Sequence, residues 1–170
     1  MIYYEEMLDI VTPEDIVIGV EKKSVIYEQK LSSFRVINGF VINSAGKIWI
    51  PRRHEQKKLF PLHLDASVGG RVAAGESYES AFARETHEEL GIDINSVAYK
   101  PLCRLTPQTH GTSAFMWVYG IFQNEAPEYN QSDFTEYYWL SPEEFFKKIE
   151  HGDKAKSDLP ILINAIKDLI

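Results

Sequence analysis

Three glutamates, Glu85, Glu88 and Glu89, lie within one turn or so of a stretch whose pattern predicts a helix. On an ideal helix Glu85 and Glu89 sit about 40° apart around the axis and about 6 Å apart along it, with Glu88 flanking them. All three carboxylates can then reach one point. Two full charges about 6 Å apart repel by roughly 0.7 kcal/mol in a water-like dielectric and by about 3 kcal/mol at an effective dielectric of 20. The cluster costs stability unless something neutralises it. One reading is a solvated acidic face screened by Arg84 or Lys100. The other is a hard divalent cation, Mg²⁺ or Mn²⁺, on oxygen ligands, with positions left for water and phosphate oxygens. Spacing alone does not separate the two.

The elements that must position these side chains follow from local patterns. Ser77 to Leu90 is the strongest helix candidate: Tyr78, Ala81, Phe82 and Leu90 form a partial apolar stripe, Glu79 suits the first turn, and Gly91 supplies a stop. Before it, Phe34 to Asn43 and Lys47 to Arg53 are β-rich runs around Ser44-Ala45-Gly46, which predicts a hairpin. After it, Val97 to Leu105 and Thr112 to Phe122 predict two more strands, and Glu136 to Leu140 a short one. Ser141-Pro142-Glu143-Glu144 reads as a capping box with proline at the first helical position, and Leu159 to Ile170 repeats apolar residues at helical spacing. In the first 33 residues, Asp15 to Val20 predicts one edge strand. Strands around a central helix, with helices last, make an α+β domain in which a mixed β-sheet is sandwiched by helices.

The 170 residues fit a single domain: an extension over 1–33, a core over 34–146 and a C-terminal helix over 157–170. A net charge of −7 argues against a general nucleic-acid or anionic-membrane surface. Cys103 is the only cysteine, so an internal disulfide and a cysteine-based zinc site are both excluded, and a reducing, cytoplasmic setting is expected. No apolar run reaches membrane-spanning length.

Gly70, Glu76, Arg84-Glu85, Glu88-Glu89 and Gly91, followed by Ile92, resemble the signature of the Nudix hydrolases at all seven of its fixed positions. Thr86 departs from it, standing where that family prefers an aliphatic residue. The resemblance implies a loop–helix–loop in which Glu85 and Glu89 are the principal metal ligands and Glu88 a further or water-mediated one. Arg84 would orient nearby groups, Glu76 would support the loop or a second metal, and Gly70 and Gly91 would shape the turns. The implied reaction is metal-dependent hydrolysis of a small-molecule diphosphate, a nucleoside diphosphate joined to a group X.

Other roles are less constrained. Glu136, with Asp133 beside it in sequence, is the expected general base outside the helix; a solvated strand residue is the competing reading for it. Arg52, Arg53 and Lys57 are expected to meet phosphate, alongside the Gly70 backbone, although a solvated loop accounts for the same charges. Phe60 and Trp117 are aromatic candidates for stacking, His110 reads as a turn residue, and His87 as exposed. The upstream pattern, including Ile48-Trp-Ile-Pro-Arg-Arg53 and Leu64-Asp65, is also similar to isopentenyl-diphosphate isomerases. Those enzymes place a catalytic cysteine shortly before the signature, where this chain has none, so isomerisation is disfavoured. A non-catalytic nucleotide-binding module is the remaining alternative. Homodimerisation is left open.

Overall fold

The computed structural model describes residues 5–170. Its centre is a mixed six-stranded sheet formed by β3 (Arg35–Ile42), β4 (Ile48–Arg53), β5 (Val68–Arg71), β6 (Ala98–Leu105), β7 (Phe115–Phe122) and β8 (Phe134–Leu140), in the order β6-β7-β3-β4-β8 with β5 also on β3. β3 and β7 run parallel, and the other pairs are antiparallel. One face packs on α2 (Tyr78–Leu90), through Ile37, Val41, Trp49, Phe82 and Tyr119. A short α3 (Pro107–His110) precedes β7, and the opposite face packs on α4 (Pro142–Glu150) and α5 (Leu159–Ile166), through Phe40, Ile50, Met116, Phe145 and Leu162. Period-2 alternation along each strand feeds both layers.

The predicted hairpin differs from the structure in an instructive way. Its turn forms as expected, with Asn43 Oδ1 accepting from the Ala45 and Lys47 N–H groups and Gly46 at φ 69°. Beyond the single register pair Ile42↔Ile48, however, β3 and β4 part, and β5 takes the place beside β3. The buried Ser67 hydroxyl bridges the fork, donating to the Trp49 carbonyl at 2.6 Å and accepting from the Val41 N–H at 2.9 Å. Backbone groups that lost a ladder partner thus keep a hydrogen bond.

The extension holds more than one edge strand. β1 (Met7–Val11) and β2 (Val17–Lys22) form a separate antiparallel hairpin, followed by α1 (Lys23–Glu28). Leu8, Ile26, Phe34 and Ala114 make a small core beneath it. Asp15 fastens it to the main sheet: Arg35 Nε donates to its carboxylate at 2.6 Å, the Tyr78 hydroxyl donates at 3.0 Å, and Arg104 lies at 3.1 Å. At the other end of the chain the regular helix stops at Ile166, short of the expected Ile170. No helix among the described residues is long and apolar enough to cross a membrane.

Candidate active site

The signature helix is built as its sequence predicts. Ser77 Oγ caps it by accepting from the Ser80 N–H, and Gly91 ends it in the left-handed region at φ 64°, its N–H donating to the His87 carbonyl. Ala81, Phe82, Thr86 and Leu90 are buried against the sheet. This leaves Glu85 and Glu89, each three residues beyond one of those anchors, at the helix margin beside β5.

There the strand has no side chains to obstruct them. A Cβ at Gly70 would overlap the Glu85 carboxyl group, so only glycine lets that carboxylate lie across the strand. Beside it, the Gly69 N–H donates to Glu89 Oε2 at 3.0 Å. Both glutamates consequently reach a cleft of about 670 Å³, which Gly69, Gly70, Asn38, Arg53 and Lys57 also line.

Arg84 holds the outer side of this arrangement. Its Nε and Nη2 donate to the two oxygens of Glu76 at 3.0 and 2.9 Å, Nη2 also donates to the Arg71 carbonyl at 3.1 Å, and Nη1 donates to Glu85 at 2.7 Å. Glu76 in turn accepts from the Ala73 N–H at 2.9 Å. Signature loop, helix and Glu85 are therefore linked through one guanidinium.

Burial makes the unneutralised pair costly. Glu89 is pushed up to about 8, first by desolvation and then by the charges of Asp65, Glu85 and Asp133, against the opposing Gly69 N–H. Burial also raises Glu85, with Arg84 pulling the other way and Glu88 adding repulsion. Glu76 is lowered, chiefly by the hydrogen bond from Arg84. A cation between Glu85 and Glu89 would favour their charged forms against the desolvation that chiefly raises both.

Glu88 points elsewhere. Its side chain is 58% exposed and stands 3.7 Å from Arg84. Among the described residues no three His, Cys, Asp or Glu side chains are gathered as a closed ligand set. Two half-buried carboxylates opening on a cleft nevertheless fit Mg²⁺, which is commonly held by one or two carboxylates together with waters and substrate phosphates.

Of the other expected site residues, Arg53 and Lys57 line the cleft but are already paired. Arg53 Nη1 donates to Asp65 at 2.6 Å, and Lys57 Nζ donates to Asp133. Arg52 and Glu136 are not brought to the glutamates. They pair across β4 and β8, Arg52 Nε donating to Glu136 at 2.5 Å, and Arg52 is further engaged by Tyr138 and by Asp153 at 2.9 Å. The reason is strand alternation: Arg52 shares the face of Ile48 and Ile50, and Glu136 that of Tyr138 and Leu140, which pack toward α4 and α5. The Tyr138 hydroxyl and Arg52 hold Glu136 below the usual carboxylate range.

Phe60 borders the cleft, whereas Trp117 packs against Tyr78 and Tyr119 near the sheet core. His110 closes a short turn, its Nδ1 accepting from the Thr106 N–H, and His87 is exposed. Several cleft residues had no sequence signal of their own: Asn38, Lys30 in the extension, and Lys156 just before α5. Lys156 lies 3.6 Å from Asp65.

The family model described as the NUDIX domain matches residues 33–160. The chain is 52% identical over 158 residues to an uncharacterised Nudix hydrolase of Nostoc sp., covering 93% of this chain and 94% of that relative. It is similar to the crystal structure of DR0079 from Deinococcus radiodurans, with a TM-score of 0.88 at 40% identity, covering 94% of this chain and 98% of that one. A more distant likeness, 26% identity over 158 residues, joins it to an isopentenyl-diphosphate isomerase of Kocuria rhizophila, covering 86% of this chain and 88% of that enzyme. Signature, fold and relatives agree: the chain belongs to the Nudix hydrolase family and is a pyrophosphohydrolase by class.

Proposed function

We propose that the protein hydrolyses the diphosphate linkage of a nucleoside diphosphate joined to a group X, using Mg²⁺ or Mn²⁺ at Glu85 and Glu89. The observation that carries this reading is the passage of both carboxylates over Gly69 and Gly70 into one cleft. When bound there, the cation would neutralise phosphate oxygens and activate water. Glu85 and Glu89 would hold it, with Glu88 as a water-mediated partner. Arg84, fixed by Glu76, would keep Glu85 in place over Gly70, whose missing side chain leaves room for that carboxylate.

Arg53 and Lys57 stand at the cleft as cations whose partners, Asp65 and Asp133, a phosphate could displace or share. The proton-accepting carboxylate is Glu85 or Asp133, at or beside the cleft, since Glu136 lies outside its lining and is engaged by Arg52 and Tyr138.

Isomerisation draws support from the upstream pattern, but the single cysteine, Cys103, lies on β6 beside α5, away from the cleft. The test is a panel of nucleoside diphosphate sugars, dinucleoside polyphosphates, nucleoside triphosphates and isoprenoid diphosphates, with Mg²⁺, Mn²⁺ or chelator. Metal-dependent cleavage of nucleotide substrates is expected. Absence of cleavage throughout the panel, or cleavage that persists in chelator, would refute the proposal.

A further inference from the structure

We infer that Asn38 reads the organic part of the substrate, and that the part it reads is a planar heterocycle, a nucleobase, rather than a hydrocarbon chain. The inference rests on the diphosphate hydrolysis proposed above and names the residue that selects within it.

Asn38 lies on β3 opposite Gly69, lines the cleft and is only 6% exposed. Its amide N–H donates to the Met116 sulfur at 3.5 Å, a weak acceptor that a ligand can replace. Among the described residues its carbonyl oxygen accepts no hydrogen bond. That oxygen stands beside Gly69, at 3.4 Å from where a Cβ would be, and the Gly69 N–H is the group that holds Glu89. A polar reader thus adjoins the reacting end of the cleft.

Apolar side chains share the cleft with Asn38, beside polar ones from Ser113, Lys156 and Asp158. Val36, Met116, Leu159 and Leu162 line the cleft between the sheet and α5, and Phe34 and Leu31 continue this wall toward the extension. Such a slot favours a flat, weakly hydrated body. A hydrocarbon chain would satisfy the walls but leave the Asn38 amide desolvated without a partner, a cost that a buried polar group keeps in full. A heterocycle edge presenting a donor next to an acceptor satisfies walls and amide together. Sites built around one buried hydrogen-bonding group discriminate strongly against ligands lacking its complement.

The test compares the wild type with Asn38→Leu by two readouts. First, kcat/KM is measured for nucleoside triphosphates with each of four bases and for geranyl diphosphate, which has no base. The ratio of the best base-bearing substrate to geranyl diphosphate should fall at least tenfold in the variant, mostly through KM, with the loss greatest for one base. Second, binding of nucleoside 5′-monophosphates is measured by calorimetry in the Glu85→Gln background without divalent metal; adding Asn38→Leu should weaken it at least tenfold. A ratio unchanged within twofold together with unchanged monophosphate binding overturns the inference, as does a wild type that prefers geranyl diphosphate. If no diphosphate is cleaved, the hydrolytic reading fails on its own and monophosphate binding still judges Asn38. Should Asn38→Leu melt well below the wild type, Asn38→Ser supplies the same comparison with a smaller side chain.

Discussion

The carboxylate of Glu85 occupies the space that any side chain at Gly70 would need. Residues fifteen positions apart in sequence are therefore one structural unit: the helix supplies the charge and the strand supplies the gap.

Gly70→Ala should separate folding from activity. The atoms met by the new methyl belong to the end of the Glu85 side chain, which can swing aside while backbone and core stay in place. Turnover is expected to fall at least tenfold, since small displacements of catalytic groups cost about that much or more. The melting temperature should move by only a few degrees, roughly what 1 kcal/mol produces in a domain of this size. A variant with wild-type turnover would show that the position of Glu85 is unimportant.

Acid should act on the Glu76–Arg84 pair. The carboxyl of Glu76 titrates lower in the folded chain than its ordinary value of 4.5, first because of the hydrogen bond from Arg84. A depressed carboxylate contributes stability at pH values above its unfolded pKa and loses it as pH falls through the folded one. The stability gap between wild type and Glu76→Gln should thus be widest near neutrality and shrink between about pH 5 and about pH 3. Denaturant midpoints measured across that range check this; a gap that widens on acidification contradicts it.

Thr86 offers a stabilising change. Its hydroxyl is buried with no hydrogen-bond partner, at the position where the signature resembles a site for an aliphatic residue. Thr86→Val keeps the branched shape and removes the unpaired group, which should add about 1 kcal/mol of stability. Urea unfolding measures it, and a destabilised variant would mean that the hydroxyl is satisfied in solution.

Much of this site was legible because its local rules are strong. Gly91 and the Ser141–Glu144 capping box sit where the sequence predicts, while Ser77, read as the first residue of the helix, is its N-cap. The convergence of Glu85 and Glu89 on one cleft likewise follows from helical spacing. What escaped was set by tertiary pairing. Nothing local to Ser67 says that its hydroxyl will bridge two parting strands. The face taken by Glu136 depends on its alignment with Arg52 across β4 and β8, where a bulge follows Arg52. Alternation with Tyr138 and Leu140 could have assigned that face, had the layer they pack against been known. The hairpin of the extension was hidden because β2 is exposed along most of its length, so its Val17-Ile18-Gly19-Val20 run has no polar face to reveal the period.

In the proposed reaction Glu85 and Glu89 together hold the divalent cation. Calorimetric titration of Mn²⁺ into metal-free wild type, Glu85→Gln and Glu89→Gln tests it most directly, with turnover measured on the same samples. Saturable binding to the wild type is expected, with affinity at least tenfold weaker in each variant and loss of most metal-dependent turnover in both. Wild-type Mn²⁺ affinity with near-normal turnover in both variants would contradict it.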